Sequence, residues 1–194
     1  MQLSAGVIGL QGDVTEHATA IDAAGEAYGH EVTVTSVRES GVIPDCDLLA
    51  LPGGESTTIS RLLQREQIAS EIIEHVQADK PLLATCAGLI VASSDAQDDR
   101  IEPLDLLDVT VERNAFGRQR ESFEAALDVD GLDEPFPGVF IRAPVIAEIG
   151  EAPSVIARHD GRPVAVQQGP VTGTAFHPEL TGDHRLHGLA LFDR

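Results

Sequence analysis

The fold is decided by residues 80–91, which read KPLLATCAGLIV. An apolar run typical of a buried strand ends at small residues, and a second apolar run typical of a helix follows. The pattern predicts a nucleophile elbow, in which a sharp turn raises the side chain of Cys86 above the carboxyl edge of a sheet. The positive end of the new helix favours the thiolate form of such a cysteine. A buried cysteine is more often an inert packing residue, so the elbow alone leaves both interpretations open.

A candidate base for this thiol lies far along the chain, in residues 171–180, which read VTGTAFHPEL. His177 and Glu179 follow a strand-like run and flank a proline, which stiffens the backbone and prevents helix continuation. A thiol nucleophile needs a base to accept its proton, and an imidazole needs an acceptor that sets its tautomer. An isolated His-x-Glu is more often a pair of surface residues. Combined with the elbow, it favours a Cys86–His177–Glu179 catalytic triad.

A third segment, DLLALPGGEST at residues 47–57, is typical of a buried strand that ends in a Gly-Gly turn before a helix. Glycine permits backbone angles that turn an N–H group toward a ligand. We therefore expect N–H groups of Gly53 or Gly54, together with that of Ala87, to form an oxyanion hole. An ordinary strand-to-helix turn is the alternative for this segment taken alone.

These motifs together resemble those of class I glutamine amidotransferases, and within that class the glutaminase subunits of pyridoxal 5′-phosphate synthase. The resemblance rests first on PGGESTT (52–58), TCAGL (85–89) and HPELT (177–181). Three further segments narrow the resemblance to the glutaminase subunits of that synthase: GVIGLQG (6–12), VERNAFGRQ (111–119) and GVFIRAP (138–144). It extends from about residue 5 to about residue 187, almost the whole chain.

The resemblance implies that Cys86 attacks the side-chain amide of L-glutamine and forms a glutamyl thioester, which water hydrolyses to glutamate. His177 would act as base and then as acid, and Glu179 would orient it. The residues implied to hold glutamine are Gly54, Glu55, Ser56, Arg113, Ile141 and Arg142. Glu55 could pair with a substrate ammonium, and an arginine fork matches a carboxylate.

One position departs from the family pattern. The elbow of the family is usually Gly-x-Cys-x-Gly, whereas this chain has Ala84 at the first glycine. Alanine is the smallest replacement, so we expect the turn to tolerate it.

The order of apolar segments predicts an α/β fold in one domain over residues 1–194. Strand-like runs at 3–10, 31–37, 47–51 and 81–85 alternate with helix-like stretches at 15–28 and 57–78. Such alternation favours a doubly wound, mostly parallel sheet flanked by helices, similar to the flavodoxin-like fold. Residues 107–176 break into shorter strand-like pieces, which predicts antiparallel additions before a final helix from about residue 183.

The charge is unusually acidic. Lys and Arg number 13 against 32 Asp and Glu, which gives a net charge of −19, and the only lysine is Lys80. Such a surface repels nucleic acid, so we exclude that class of partner. An acidic surface with almost no lysine predicts a halophilic source. At 1 M salt the repulsion between surface carboxylates is screened beyond only about 3 Å, so such a protein stays folded and soluble there. A generally acidic mesophilic protein is the alternative.

Other sequence features predict a cytoplasmic enzyme that requires no metal. The chain has two cysteines, no basic leader at its start and no run of membrane-spanning length. Cys46, with acidic neighbours on both sides, is interpreted as structural. We expect no metal site, no cofactor and no membrane contact. The remaining histidines, His17, His30, His75, His159, His184 and His187, are interpreted as surface or packing residues.

A partner is implied by the resemblance, because a free glutaminase would waste glutamine. That partner is a synthase subunit with a (β/α)8 barrel, which receives the ammonia and activates the glutaminase on docking. The loop at Gln11 and Gly12 would lie near the oxyanion site and respond to it. Two alternatives stay open: a glutaminase of another synthase, such as imidazole glycerol phosphate synthase, and a non-catalytic regulatory protein on the same fold.

Overall fold

The computed structural model describes residues 1–12, 14–113 and 122–193. Residues 114–119 of the VERNAFGRQ segment therefore lie outside the described residues. The described strands are β1 Gln2–Ile8, β2 Glu31–Val37, β3 Leu48–Leu51, β4 Leu82–Thr85, β5 Ser93–Asp95, β6 Leu107–Glu112, β7 Ser122–Leu127, β8 Phe136–Ile141, β9 Val145–Ile149, β10 Ser154–His159, β11 Arg162–Gln168 and β12 Val171–Thr174. The described α-helices are α1 Thr15–Ala27, α2 Ser56–Arg65, α3 Ile68–Gln77, α4 Ala87–Ala92 and α5 Arg185–Leu191.

A seven-stranded sheet in the order β10-β11-β12-β4-β3-β1-β2 forms the centre of the molecule. The strands from β12 to β2 are all parallel, whereas β10 and β11 extend the sheet antiparallel. Short, continuously buried runs such as LLAL in β3 and LLAT in β4 are typical of parallel strands that are covered on both faces. The active-site turns therefore follow the carboxyl ends of β3, β4 and β12 at one edge.

Helices cover both faces of this sheet. On one face, Ile21 of α1 and Leu191 of α5 pack against Val7 and Leu83 of the strands. On the other face, Ile59 of α2, Ile72 of α3 and Leu89 of α4 belong to the larger hydrophobic cluster. The predicted doubly wound, mostly parallel α/β fold is confirmed. No helix in the described parts of the chain combines the length and the apolar character that a membrane span requires.

The predicted helix over residues 57–78 is wrong in one respect, because the structure divides it into α2 and α3. Gln67 has a left-handed backbone with φ of 60°, which interrupts the helical hydrogen bonds. Apolar residues continue at helical spacing through the break, since both helices bury the same face of the sheet. The periodicity therefore did not reveal where the axis changes.

The predicted antiparallel additions are β10 and β11 of the main sheet and the pairs β6–β9 and β7–β8 of two small sheets, in which β5 pairs parallel with β6. One small sheet has the order β5-β6-β9 and the other pairs β7 with β8. Phe136 and Phe140 of β8 lie fully buried in the same cluster as the core of the main sheet. The continuous core is consistent with one domain over residues 1–194, which stays a prediction.

The turn at Cys86 depends on close packing between β3 and α4. A Cβ atom on Gly88 would collide with the backbone oxygen of Leu51, so only glycine allows the helix to begin so near the strand. Ala84 is fully buried in β4, and its in-register neighbour on β12 is Gly173, which has no side chain. The methyl group of Ala84 is therefore accommodated at the position where the family usually has glycine.

We predict that Gly88→Ala destabilises the protein by about 1–3 kcal/mol, because backbone atoms must move to admit the new methyl group. Gly182→Ala is the matched control, since a Cβ there meets nothing within 4 Å. The control should change the free energy of unfolding by less than about 0.5 kcal/mol. Denaturant unfolding at high salt measures both, and equal stability of the two variants would contradict this packing argument.

Candidate active site

Cys86 occupies a strained turn between β4 and α4. Its φ of 51° and ψ of −107° are unusual for a residue with a side chain, as expected for an elbow. The backbone N–H of Cys86 donates to the Thr174 oxygen at 2.8 Å, which ties the turn to the end of β12. The side chain is 8% exposed and lines a cavity. The predicted nucleophile is therefore reachable from solvent, at the end of a central strand.

His177 reaches Cys86 because β12 and β4 are parallel neighbours. Thr174 is paired with Thr85, so the segments that follow β4 and β12 leave the sheet at the same edge. The backbone N–H of His177 donates to the Val139 oxygen at 2.8 Å and fixes the loop against β8. The imidazole interacts electrostatically with Cys86 on one side, and its Nδ1 lies 2.7 Å from Glu179 Oε1 on the other. The structure thus brings Cys86, His177 and Glu179 together.

The charges of this cluster favour a protonated imidazole. Burial alone would lower the pKa of His177, but its hydrogen bonds and electrostatic contacts with Cys86 and Glu179 raise that pKa to about 10. Burial would likewise raise the pKa of Glu179, but the hydrogen bond from His177 and electrostatic interactions with His17 and His177 hold it below its usual value. The arrangement supports an imidazolium held between the Cys86 thiol group and an ionised carboxylate.

Gly53 lies against this pair, and Gly54 lines the same cavity as Cys86 and His177. A Cβ on Gly53 would lie 2.7 Å from His177 Cε1 and 3.4 Å from Cys86 Cβ, so a side chain there would displace the imidazole. Ala87 follows Cys86 as the first residue of α4. The backbone N–H groups predicted for an oxyanion hole therefore belong to residues that border the thiol.

The loop at Gln11 contacts the Gly-Gly turn directly. The Gln11 side-chain oxygen accepts a hydrogen bond from the Glu55 N–H at 2.6 Å and touches Gly54. Gly12, with φ of +99°, approaches the Gly53 oxygen so closely that it leaves no room for a Cβ. The predicted position of this loop beside the oxyanion site agrees with these contacts.

A cavity of about 500 Å³ opens above Cys86. Every residue that the sequence implied for glutamine binding lines it: Gly54, Glu55, Ser56, Arg113, Ile141 and Arg142. Sequence reasoning did not identify Ile90 and Pro144, which also line it and which no polar motif signals. A smaller neighbouring cavity of about 210 Å³ touches Gly53, His177 and Glu179 from the other side.

The carboxylate of Glu55, which the sequence suggested as a partner for a substrate ammonium, has partners within the protein. It accepts hydrogen bonds from the backbone N–H and hydroxyl groups of Thr57 and Thr58, which caps α2. Hydrogen bonding by Thr57 and Thr58 outweighs burial and lowers its pKa to about 2. Arg113 Nη2 also lies 3.2 Å from Glu55 Oε1. These contacts favour a role in holding the helix and Arg113 over direct pairing with a substrate ammonium.

Arg113 is held between two carboxylates. Its Nη1 lies 2.8 Å from Asp98 Oδ2, opposite the contact with Glu55. Sequence reasoning did not identify Asp98, because nothing local connects it with Arg113. Its pKa is held well below the usual value by hydrogen bonds from Arg100 and Arg113.

Ile141 and Arg142 end β8 at the mouth of the cavity. The Cys86 thiol lies 4.0 Å from the Ile141 carbonyl oxygen. Arg142 has a left-handed backbone with φ of 44°, and such strain is often found at functional sites. The two residues place an apolar side chain and a positive charge beside the thiol.

Comparison with known proteins gives one consistent result. The sequence model of the SNO glutamine amidotransferase family matches residues 7–192. The chain is 66% identical over 194 residues to a pyridoxal 5′-phosphate synthase subunit PdxT from Halobacterium salinarum, covering 100% of this chain and 96% of that protein. It is 64% identical over 193 residues to the PdxT subunit of Haloarcula marismortui, covering 100% and 98%.

Solved structures agree on the fold. A crystal structure of a glutamine amidotransferase superimposes with a TM-score of 0.85 at 43% identity, covering 96% of each chain. The structure of PurLQS from Thermotoga maritima is 19% identical with a TM-score of 0.61, covering 97% of this chain and 93% of that one, and it shows similarity of fold alone.

We predict that iodoacetamide alkylates Cys86 at least about tenfold faster than Cys46 near neutral pH. Cys86 lies at a helix start beside His177, whereas burial raises the pKa of the Cys46 thiol. Peptide mass spectrometry over time measures both rates in one sample. His177→Ala should slow the alkylation of Cys86 and leave that of Cys46 unchanged. Equal alkylation rates for the two cysteines in the wild-type protein would contradict the assignment of Cys86 as the nucleophile.

Proposed function

Since the chain belongs to the SNO glutamine amidotransferase family, we propose that it is the glutaminase subunit of a pyridoxal 5′-phosphate synthase. One observation supports this most strongly: near-complete coverage at 64–66% identity by relatives that are named as such subunits. The reaction is hydrolysis of L-glutamine to L-glutamate and ammonia. The second subunit of the synthase uses the ammonia to make the vitamin B6 cofactor.

The first half of the proposed reaction forms a thioester. The Cys86 thiolate attacks the side-chain amide carbon of glutamine, and the C–N bond breaks in the tetrahedral intermediate that follows. The leaving amine takes the proton of the His177 imidazolium and departs as ammonia. The raised pKa of His177, to about 10, keeps that proton available at neutral pH.

The second half of the reaction hydrolyses the thioester and regenerates the free Cys86 side chain. Neutral His177 accepts a proton from water, which attacks the thioester carbon and releases glutamate. The thiolate leaves, and the proton remains on the imidazole. Glu179 keeps the ring oriented in both halves through the Nδ1 contact of 2.7 Å.

Both tetrahedral intermediates carry a negative oxygen. We assign its stabilisation to N–H groups of Gly53 or Gly54 and Ala87, since these residues border the thiol. Loss of one such donor typically costs a hundredfold or more in rate, on the order of 3 kcal/mol.

Glutamine binds in the cavity above Cys86. Arg113 and Arg142 also line that cavity, and an arginine fork suits the α-carboxylate of the substrate. Ser56 offers a hydroxyl, Gly54 offers backbone groups, and Ile141 offers an apolar wall. Glu55 contributes through Arg113, whose guanidinium it helps to hold.

The partner in this proposal is a synthase subunit that encloses the ammonia acceptor, and the family resemblance implies a (β/α)8 barrel for it. The relatives named here are called subunits, which supports a complex. Imidazole glycerol phosphate synthase is a weaker alternative, because the two relatives named above are pyridoxal 5′-phosphate synthase subunits. A regulatory role without catalysis is also weaker, since Cys86, His177 and Glu179 are together and in contact.

The same proposal includes a cytoplasmic, high-salt setting. Cys46 and Cys86 are both free thiols, which suits a reducing compartment. The relatives named above come from halophilic archaea, in agreement with the net charge of −19. Assays therefore belong in concentrated salt, where the repulsion between surface carboxylates is screened.

We predict weak ammonia release from glutamine by the isolated chain and a marked rise when the pyridoxal 5′-phosphate synthase subunit is added in high salt. Cys86→Ala should abolish release with and without that subunit, because no nucleophile remains. Cys46→Ala is the matched control and should retain activity. Ammonia is measured by a coupled enzyme assay. Unchanged release by Cys86→Ala would overturn the catalytic assignment, whereas a wild-type rate unaffected by the synthase subunit would overturn the partner.

A further inference from the structure

A second histidine lies behind the proposed triad. His17, on α1, has no exposed surface, and its Nε2 lies 3.5 Å from Glu179 Oε2. That oxygen is the one that does not contact His177, since His177 Nδ1 contacts Oε1. Among the described residues, no group makes a hydrogen bond of standard geometry to Glu179 Oε2. The His17 ring is therefore placed to act on the free side of the carboxylate.

The same ring nitrogen also touches the elbow. His17 Nε2 lies 3.2 Å from the hydroxyl oxygen of Thr85, the residue that precedes Cys86. Thr85 is fully buried at the end of β4. One imidazole thus connects the strand that presents the nucleophile with the acid that orients the base.

A third histidine determines how His17 is protonated. His187 on α5 is fully buried, and its Nε2 lies 3.4 Å from His17 Nδ1. Its other ring nitrogen, Nδ1, has no hydrogen-bond partner among the described residues. Burial, together with the nearby histidines His17 and His184, lowers the pKa of His187 well below its usual value, so that ring is neutral.

A neutral imidazole carries one N–H group, and the free energy of burying that group determines which ring nitrogen of His187 is protonated. If Nδ1 of His187 carried the proton, a buried donor would lack an acceptor, and such a group costs roughly 1–3 kcal/mol. The proton therefore lies on His187 Nε2 and is donated to His17 Nδ1. With Nδ1 accepting, His17 carries its proton on Nε2, the atom that faces Thr85 and Glu179.

We propose that His17 is a positioning residue for Glu179, with its Nε2–H facing both the Thr85 hydroxyl and the carboxylate and its tautomer set by His187. The inference depends on the proposed glutaminase function and extends the triad by one buried neighbour. Electrostatic attraction between this N–H group and the carboxylate stabilises the ionised form of Glu179 in the orientation that His177 requires.

The alternative is that His17 only fills space between α1 and the sheet. An apolar side chain would do that without the free energy of burying an imidazole, and the cluster between α1 and the sheet, which includes Ile21 and Leu83, is apolar. A ring that contacts Thr85, Glu179 and His187 with both nitrogens is better explained by polar positioning.

The test compares His17→Leu, His17→Gln and His17→Asn in the complex with the synthase subunit at high salt. The Gln amide reaches about as far as Nε2 of histidine, whereas the Asn amide stops near Nδ1. We expect His17→Leu and His17→Asn to lower kcat about tenfold or more, with KM for glutamine changed less than about threefold. His17→Gln should recover most of the lost kcat.

A matched control is His75→Leu, because His75 is another buried histidine but contacts the Pro81 oxygen away from the site. It should leave kcat unchanged. Circular dichroism and melting temperature show which variants are folded. If His17→Leu is not folded, the kcat of His17→Gln is compared with that of His17→Asn to test the proposal. An unchanged kcat in folded His17→Leu, or a kcat of His17→Gln no higher than that of His17→Asn, overturns the proposal.

The assay separates this inference from the proposed function. If the wild-type complex releases no ammonia from glutamine, the glutaminase assignment fails and His17 loses the role proposed here. If the wild-type complex is active and folded His17→Leu equals it, only the role of His17 is wrong.

Discussion

The parallel pairing of β4 with β12 is the interaction on which the rest of the site depends. It places Thr85 beside Thr174, so that chain segments distant in sequence leave the sheet at the same edge. The hydrogen bond from Cys86 N–H to the Thr174 oxygen extends that pairing into the turn itself. Everything chemical about the site, from the thiol to the imidazole and the carboxylate, follows from this register. A slip of one residue would direct the side chains to opposite faces of the sheet.

Burial and hydrogen bonding oppose each other at His177, and hydrogen bonding prevails. A buried imidazole without partners would be neutral, yet the contacts with Cys86 and Glu179 stabilise its charged form. Small residues make this possible, because Gly53 leaves room for the ring and Gly88 lets α4 begin against Leu51. Packing at the end of the sheet therefore controls the electrostatics of the thiol, and the buried histidines behind Glu179 extend that control.

The sequence predicted what local patterns encode. The buried runs of β3 and β4, the elbow and the His-Pro-Glu turn each have a signal within a few residues, and the structure brings the predicted residues to two neighbouring cavities that share Gly54 and His177. The pairing of Asp98 with Arg113 and the contact of His17 with Glu179 had no such signal, because each joins side chains from elements that are separate in sequence. The break at Gln67 was hidden for another reason, since the apolar period continues through it. Long-range polar contacts depend on tertiary packing that periodicity does not encode.

The protonation state of His177 tests the account most directly. Nitrogen-15 NMR of the imidazole in high salt, with the resonance assigned by comparison with His177→Gln, measures it across a pH series. The account predicts an imidazolium that persists through pH 8, because its pKa is about 10, and a fall toward the ordinary value near 6.5 in Cys86→Ala. A wild-type His177 that already titrates near 6.5, and does not respond to Cys86→Ala, would contradict the pairing of thiol and imidazole at the centre of this account.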